Sequence, residues 1–268
     1  MKNILITGVC GGMGAATAEL LLKKGYAVHG VDRNDVCKTS GVNYQRADLT
    51  SAEEVNKAAE RFKDVKFDAI VHFAGIYNMD SLIEISEENF EKIFRINLFG
   101  AFYVNKAFFG QLNERARIIM TSSELAPLDP LPFTGLYGIT KTAVEKYADA
   151  LRMELNLLGF SISVIRPGAV KTGLLGDSTA ALDRLCANTK LYGCNAEKFR
   201  NIVNSVENKS VSPEKIALTV ERALRAKKPE YVYNLNRNFA LRLLSFLPKR
   251  FQVWIIKKII SNTASVRS

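Results

Sequence analysis

The chain has 268 residues, of which 47% are hydrophobic and 24% are charged, and its formal net charge is +10. This composition is that of a folded globular domain and excludes an intrinsically disordered or collagen-like chain. The charge excess is confined to the carboxyl end, because residues 214–268 carry +9 and residues 1–213 carry +1, and no nucleic-acid-binding motif accompanies it.

Cysteine and histidine are scarce and follow no metal-binding pattern. The four cysteines show no paired short spacing, which argues against a zinc site and a disulfide framework and favours a reducing, cytoplasmic location. The two histidines, His29 and His72, are too few for a histidine-rich metal centre, and we predict no bound metal. The apolar runs are shorter than a bilayer span and the chain opens on a strand pattern, so we expect neither a transmembrane helix nor a signal peptide.

Strand and helix patterns alternate along the chain. Short apolar runs predict strands at residues 3–7, 27–31, 69–73, 117–121, 161–166 and 231–234. Helical spacing predicts helices at residues 13–24, 51–62, 86–113 with a break near Asn97, 137–158 and 212–226. Alternation of this kind predicts a mostly parallel, doubly wound α/β sheet between two helical layers, with ligands bound beyond the carboxyl ends of the strands.

A glycine-rich turn joins the first strand to the first helix. The turn reads TGVCGGMG from Thr7 and contains Gly8, Gly11, Gly12 and Gly14. Glycines allow a tight turn and let backbone amides approach a pyrophosphate at the helix N-terminus. Strand, turn and helix together predict a dinucleotide cofactor.

Asp32 lies at the end of the second strand, 18 residues after Gly14. A carboxylate at this position accepts both hydroxyl groups of the adenine ribose and repels a 2′-phosphate, which favours NAD. The neighbouring Arg33 could pair with that phosphate, although no lysine or arginine lies inside the glycine turn. We therefore predict NAD, with NADP as the alternative.

The predicted helix over residues 96–112 is apolar on nearly every side. Its apolar side chains are Leu98, Phe99, Phe102, Tyr103, Val104, Phe108 and Phe109. A helix without a polar stripe must be covered on more than one side. We predict a homo-oligomer, a dimer or a tetramer, with burial under the chain's own loops as the alternative.

Tyr137 and Lys141 are four residues apart at the start of a predicted helix and therefore share one face. A nearby ammonium favours the phenolate, so we expect Lys141 to lower the pKa of Tyr137. Ser123 follows the strand at residues 117–121 and can hydrogen-bond a carbonyl or alcohol oxygen. Asn97 precedes Tyr137 by 40 residues, where a helix is interrupted.

These motifs together resemble those of the classical short-chain dehydrogenase/reductase family, whose members bind NAD or NADP on a Rossmann-type fold. The matching residues, in family order and at family spacing, are Thr7, Gly8, Gly12, Gly14, Asp32, Asp48, Leu49, Ala74, Gly75, Asn97, Ser123, Tyr137, Lys141, Pro167, Gly168, Val170 and Thr172. The resemblance implies a single three-layer α/β/α domain over residues 1–238 that interconverts a secondary alcohol and a ketone by hydride transfer.

The resemblance also implies four catalytic roles. Tyr137 is the general acid/base, and Lys141 lowers its pKa and binds the nicotinamide ribose. Ser123 positions and polarises the substrate oxygen. Asn97 holds a water in the proton relay.

The implied cofactor-binding residues are Gly8, Gly11, Gly12, Met13, Gly14, Asp32, Arg33, Asp48, Leu49, Ala74, Gly75, Tyr137, Lys141, Val170 and Thr172. By the same resemblance, the backbone near Met13 meets the pyrophosphate. Asp48 and Leu49 flank the adenine. Val170 and Thr172 contact the nicotinamide carboxamide.

The chain departs from the family pattern at two places. His72 and Phe73 stand where the family has two asparagines, and His72 either replaces the missing hydrogen-bonding side chain or is a packed core histidine, the interpretation that we favour. Glu124, beside Ser123, is unusual and could repel acidic substrates.

The end of the chain offers apolar and basic segments. Residues 173–211 correspond to the family's flexible substrate loop, and an apolar substrate is suggested there by Leu174, Leu175, Leu182, Leu185, Leu191 and Tyr192. Residues 239–268 form a basic amphipathic tail in which Pro248 separates two helical segments. This composition suits peripheral contact with a membrane, and the alternative is packing over the mouth of the active site or a partner subunit.

The tail resembles that of hydroxysteroid- and retinol-dehydrogenase-like members, which favours a lipophilic substrate such as a steroid or a bile acid. A ketoacyl reductase or another small carbonyl reductase of the family is the alternative. The turn also fits the glycine spacing of sugar-nucleotide epimerases, but the region after Thr172 is small for their substrate domain. A non-catalytic nicotinamide-sensing protein is disfavoured because the tyrosine–lysine pair is intact.

Overall fold

The computed structural model describes residues 1–207 and 209–261, and all of their side chains except those of residues 174–179 and 205–207. The strands of this part of the chain are β1 (Asn3–Thr7), β2 (Ala27–Asp32), β3 (Asn43–Arg46), β4 (Phe67–His72), β5 (Leu112–Thr121), β6 (Ser161–Pro167) and β7 (Val232–Leu235). They form one parallel sheet in the order β3-β2-β1-β4-β5-β6-β7. The direction of winding reverses between β1 and β4, which is where such sheets bind ligands.

Helices cover both faces of the sheet. They are α1 (Gly12–Lys23), α2 (Ala52–Arg61), α3 (Glu87–Phe94), α4 (Gly100–Phe108), α5 (Gly135–Leu155), α6 (Gly173–Asn188), α7 (Gly193–Glu207), α8 (Pro213–Arg225), α9 (Phe239–Ser245) and α10 (Lys249–Ile260). A π-helical turn, Arg95–Phe99, joins α3 to α4. Among the described residues, no helix combines the length and the apolar character needed to cross a membrane.

The core lies on both sides of the sheet. Ile4 and Ile6 of β1 belong to a buried cluster with Leu21 of α1, whereas Leu5 between them belongs to a cluster with Val104 of α4 on the other face. Successive strand residues point to opposite faces, so a strand buried on both sides is apolar at every position. The predicted three-layer α/β/α architecture is confirmed.

One predicted boundary is wrong, and one strand was missed. The helix predicted over residues 86–113 runs too far, because Leu112 and Asn113 already belong to β5 and the Asn113 amide donates to Asp68 Oδ1 at 3.1 Å. The edge strand Asn43–Arg46 was not predicted, because it is polar and pairs only with β2.

The region predicted as a flexible substrate loop, residues 173–211, contains α6 and α7. These helices form a separate buried cluster that includes Leu182, Phe199 and Ile260 of α10. The apolar spacing in this region is therefore helical packing, and the carboxyl-terminal helix α10 is part of the same packed unit.

Candidate active site

The glycine turn is built by close contacts between backbones. Gly8 has a φ of +69°, and a Cβ atom there would lie 2.6 Å from the backbone nitrogen of Ala74. A Cβ atom at Gly14 would overlap the carbonyl oxygen of Gly8. Gly11 is the N-cap of α1 and provides no side-chain cap, so the first turn of α1 presents its N-terminal dipole to a ligand. This geometry fits the pyrophosphate of a dinucleotide.

Gly12 and Thr172 meet across the groove above the turn. A Cβ atom at Gly12 would lie 2.7 Å from Thr172 Cγ2. Thr172 is the N-cap of α6, and its segment is fixed because the Lys171 N–H donates to the Val211 carbonyl at 2.8 Å. The glycine is needed here because the chain that enters α6 passes directly over α1.

Asp32 holds its carboxylate at the end of β2. Oδ2 accepts the N–H of Cys10 at 3.0 Å, and Oδ1 accepts the N–H of Asn34 at 3.2 Å. Each carboxylate oxygen can accept a second hydrogen bond, which leaves acceptors for two ribose hydroxyls. Arg33 beside it is exposed to solvent.

Asp48 and Leu49 build the connection between β3 and α2. Asp48 Oδ1 accepts the N–H and the hydroxyl of Thr50, both at 2.9 Å, and the Asp48 N–H donates to Glu54 Oε2 at 2.9 Å. Leu49 is buried in the core cluster that contains α2 and α4. Contact of either residue with adenine stays a prediction.

Three predicted catalytic side chains meet at the carboxyl end of β5. The Ser123 hydroxyl and the Tyr137 phenol are joined by a hydrogen bond. The Lys141 ammonium donates to the carbonyl oxygen of Thr121 at 3.1 Å and lies 5.7 Å from the centre of the Tyr137 ring. The spacing of one helical turn on α5 thus places the Tyr137 phenol beside the Lys141 amine, and the end of β5 adds the Ser123 hydroxyl.

Burial shifts both titratable groups of this trio towards their neutral forms. It raises the pKa of Tyr137, an effect that the hydrogen bond from Ser123 only partly offsets. It lowers the pKa of Lys141 to about 8. In the chain by itself the phenol pKa is therefore raised, because loss of water outweighs the hydrogen bond from Ser123. The lowering of this pKa by Lys141 stays a prediction.

Asn97 ties the loop after β4 to α5. Its Oδ1 accepts the N–H of Ile76 at 2.8 Å, and its amide donates to the Ile76 carbonyl and to the Thr140 hydroxyl, both at 3.0 Å. A Cβ atom at Gly75 would lie 3.1 Å from Asn97 Oδ1 and 3.5 Å from Lys141 Nζ. The π-helical turn thus brings Asn97 against the catalytic trio, and its role in holding a water stays a prediction.

A cavity of about 180 Å³ joins the predicted cofactor residues to the catalytic trio. Ser123, Tyr137 and Lys141 line it together with Met13, Gly75, Val170 and Thr172. The cavity opens beyond the ends of β4, β5 and β6, the position expected for a ligand of this sheet.

Most of the cavity wall comes from residues that the sequence analysis missed. Phe199 and Val203 come from α7, Leu241 comes from α9, and Leu131 comes from the loop before α5. Tyr77 lies in the loop after β4, with its ring centre 4.3 Å from that of Tyr137. All are apolar or aromatic, but only the tertiary fold brings them to one place.

The side chains proposed for the substrate loop lie elsewhere. Leu182 and Leu185 are buried in the cluster of α6, α7 and α10, and Tyr192 packs against that cluster. Leu191 is exposed. The side chains of residues 174 and 175, both leucines in the sequence, lie outside the described residues.

His72 is packed in the core and also forms a side-chain hydrogen bond, so it combines features of both interpretations of the sequence. Its Nε2 lies 2.9 Å from Asn105 Oδ1, and the Asn105 amide donates to the Tyr147 hydroxyl at 3.1 Å. Burial lowers the pKa of His72 to about 4. The imidazole is therefore neutral at physiological pH and belongs to a buried polar network behind the site.

Glu124 connects the site to the carboxyl-terminal helices. Its Oε2 accepts the N–H of Asn238 at 2.6 Å, and Asn238 is the N-cap of α9. Burial raises the pKa of this carboxyl, and the hydrogen bond from Asn238 and the charge of Arg237 partly offset the effect. The side chain anchors α9 over the cavity, whereas its predicted repulsion of acidic substrates remains untested.

The sequence and the fold are similar to those of known proteins. A sequence model described as short chain dehydrogenase matches residues 2–183. The 3-ketodihydrosphingosine reductase of Bacteroides thetaiotaomicron is 25% identical over 232 residues, which cover 85% of this chain and 85% of that protein. Estradiol 17-beta-dehydrogenase 2 of Mus musculus is 24% identical over 285 residues, which cover 96% of this chain and 74% of that protein. The crystal structure of a short chain dehydrogenase family protein from Francisella tularensis subsp. tularensis SCHU S4 superposes with a TM-score of 0.73 and 25% identity, covering 88% of this chain and 96% of that one.

Proposed function

The chain belongs to the short-chain dehydrogenase family and is an NAD(P)-dependent dehydrogenase or reductase, and from this we propose its reaction. We propose that it interconverts a secondary alcohol and a ketone on a lipophilic substrate such as a steroid or a bile acid. The observation that carries this proposal is one apolar cavity that holds Tyr137, Ser123 and Lys141 beside the cofactor groove.

The groove fits a dinucleotide, and we propose NAD. The N-terminus of α1 would hold the pyrophosphate, and Asp32 would accept hydrogen bonds from the adenine ribose. Val170 and Thr172 would lie at the nicotinamide end, since both line the cavity. When bound, the nicotinamide ring supplies or accepts the hydride.

The side chains of the site orient the substrate oxygen and move its proton. Tyr137 donates its proton to a ketone oxygen in reduction and accepts it in oxidation. Burial raises the phenol pKa in the chain by itself, so Tyr137 is protonated at neutral pH and can donate that proton to a ketone oxygen. Ser123 positions the same oxygen, and Lys141 is held beside the phenol by the Thr121 carbonyl.

The cavity wall supports a lipophilic substrate. Phe199 and Val203 of α7, Leu241 of α9 and Leu131 present apolar surface to the reacting group. Two relatives are named for 3-ketodihydrosphingosine and for estradiol, both of which carry an oxygenated carbon in a largely apolar molecule. We propose the same substrate class here.

The proposal includes a homodimeric or homotetrameric enzyme in the cytoplasm. In the single chain, Phe99, Phe102 and Phe109 are exposed on the segment around α4, with 42%, 43% and 40% of their surface accessible. A partner subunit would cover these rings. Light scattering at micromolar concentration should show the oligomer, and a monomer there would refute this part of the proposal.

The test is a substrate panel of steroids, bile acids and medium-chain ketones, followed by absorbance of the reduced nicotinamide. On the substrate identified, Tyr137→Phe should lower kcat by about 10²–10⁴-fold, the usual contribution of a general acid. Calorimetry should show that the Tyr137→Phe enzyme still binds NADH, so the loss of turnover is a loss of chemistry. Tyr231→Phe, a matched change at a residue that is 67% exposed, should leave kcat unaltered. Wild-type turnover by the Tyr137→Phe enzyme would refute the mechanism.

A further inference from the structure

The helix α10 is apolar on two faces, and only one of them is covered by the fold. Gln252, Ile256 and Ile260 face inward, where Ile256 and Ile260 join the cluster of α6 and α7. Side chains of α7 hold its end, since Asn195 Nδ2 donates to the Ile260 carbonyl and Lys198 Nζ to the Ser261 carbonyl, both at 3.0 Å. The helix is therefore fixed on the body of the protein.

The outward face of α10 carries an aromatic and basic stripe. Phe251 and Trp254 stack at 5.4 Å with 49% and 53% of their surfaces exposed. The Lys258 ammonium lies 5.1 Å above the Trp254 ring. Aromatic rings flanked by lysine and arginine are the composition of helices that lie at a membrane interface.

Neighbouring segments extend this apolar surface. Leu82 and Ile83, in the loop before α3, are 51% and 77% exposed, and they line one groove together with Val253 and Lys257 of α10. On α9, Leu243 is 53% exposed, and Phe246, the residue that follows this helix, is 79% exposed. Exposed apolar side chains of α10 and of the loop before α3 therefore adjoin one another, which marks an interaction surface. The segment after α9 is held to α10, because Gln252 Nε2 donates to the Leu247 carbonyl at 2.7 Å.

The charge of this surface selects the partner. Residues 231–261, which contain α9 and α10, include six basic residues and no acidic one. The Leu82–Ile83 loop adds Asp80 and Glu84, of which Glu84 is bonded to the Thr189 hydroxyl and the Lys190 N–H, so the surface as a whole stays basic. One of the six, Lys249, forms an ion pair with Asp129. A second copy of the chain, docked about a two-fold axis, would bring this basic surface against itself, and like charges across an interface are unfavourable. A surface rich in anionic lipid complements both the charge and the aromatic rings.

We propose that the outer face of α10, with α9 and the Leu82–Ile83 loop, docks on an anionic lipid bilayer. The surface adjoins the active site, because Leu131 borders both the catalytic cavity and the groove beside α10. Docking therefore brings the cavity next to a source of lipophilic substrate, a consequence that rests on the proposed function. The docking itself does not depend on that function.

Trp254 is the only tryptophan in the chain, so its fluorescence reports docking directly. Vesicles of phosphatidylcholine containing phosphatidylserine should shift its emission to the blue, and brominated lipid should quench it. Vesicles of phosphatidylcholine alone should bind less protein, and added salt should release it. An emission spectrum unchanged by the anionic vesicles would overturn the proposal.

Matched variants distinguish binding through this surface from non-specific electrostatic binding of a basic protein. Lys257→Gln/Lys258→Gln should partition about 30-fold more weakly, since each lysine near an anionic surface contributes about fivefold. Lys227→Gln/Lys228→Gln, an equal change at exposed positions outside the surface, should partition as the wild type does. Equal losses in both pairs would overturn the proposal.

Two further outcomes keep the inference distinct from its alternatives. Light scattering that shows self-association, with Trp254 emission already blue without lipid, would overturn it in favour of a second copy of the chain. Partitioning is measured without substrate or cofactor, so the Tyr137→Phe enzyme should bind vesicles like the wild type. A failure of the proposed chemistry and a failure of docking are thereby told apart.

Discussion

Replacing His72 with asparagine should make the stability of the protein less sensitive to acid. The imidazole is 5% exposed and bonded to Asn105, and its pKa is lowered from 6.5 to about 4 by burial. The unfolded chain therefore binds a proton at this residue at a higher pH than the folded protein does. The stability contributed by the neutral imidazole is complete above pH 6.5 and is lost as the pH falls towards 4.

The size of the effect follows from the two pKa values. The full shift corresponds to about 3 kcal/mol, at about 1.4 kcal/mol for each pH unit. Between about pH 7.5 and about pH 5, the wild-type protein should lose about 2 kcal/mol of unfolding free energy through His72. The His72→Asn protein should lose about 2 kcal/mol less over the same interval, because asparagine does not titrate.

Urea unfolding at the two pH values, followed by circular dichroism, measures this difference. Each variant is compared with itself at the higher pH, so a general loss of stability from the smaller side chain cancels. His29→Gln is a comparison variant, since His29 is the other histidine of the chain. Burial also lowers the pKa of His29, so this replacement should reduce the acid sensitivity in the same direction. An acid sensitivity of His72→Asn equal to that of the wild type would refute the reasoning.

Three further predictions concern the groove, the core and the cofactor. Gly12→Ala places a methyl group 2.7 Å from Thr172 Cγ2, so it should weaken NADH binding by about 1–3 kcal/mol in calorimetry, and adding Thr172→Ser should restore part of the loss. Arg166 donates two hydrogen bonds to the Glu145 carboxylate, at 2.7 and 2.6 Å, and Glu145→Leu leaves the guanidinium without this partner. The free energy of unfolding measured in urea should therefore fall by about 3–5 kcal/mol, and adding Arg166→Met should recover most of the loss. Asp32→Asn keeps a hydrogen-bond acceptor but removes the negative charge. The kcat/KM for NAD divided by that for NADP should therefore fall about tenfold, equivalent to about 1.4 kcal/mol. An unchanged ratio would contradict selection of NAD by this carboxylate.

Local patterns predicted much of this molecule. The strand Asn3–Thr7 has the predicted bounds, and Ser51 caps α2 by accepting the N–H of Glu54 at 3.2 Å. Pro248 separates α9 from α10, also as predicted. Such features depend on spacing within a few residues, because helical and extended backbones repeat their side-chain directions over that distance.

The grouping of the catalytic residues also follows from the sequence. Tyr137 and Lys141 share one face of α5, and Ser123 follows the neighbouring strand β5. The carboxyl ends of parallel strands meet at one edge of the sheet, so these side chains come together once the order of elements is known. The polar edge strand β3 lacks any such signal.

Tertiary structure alone decided the environment of those residues. The cavity wall includes Phe199 and Leu241, from helices more than fifty residues along the chain from Tyr137. The direction of the Tyr137 pKa shift depends on the water that these and other segments exclude, so the spacing of Tyr137 and Lys141 did not predict it. Residue types and local spacing thus determined which groups could react, whereas packing between distant segments decided the direction of their pKa shifts and what surrounds them.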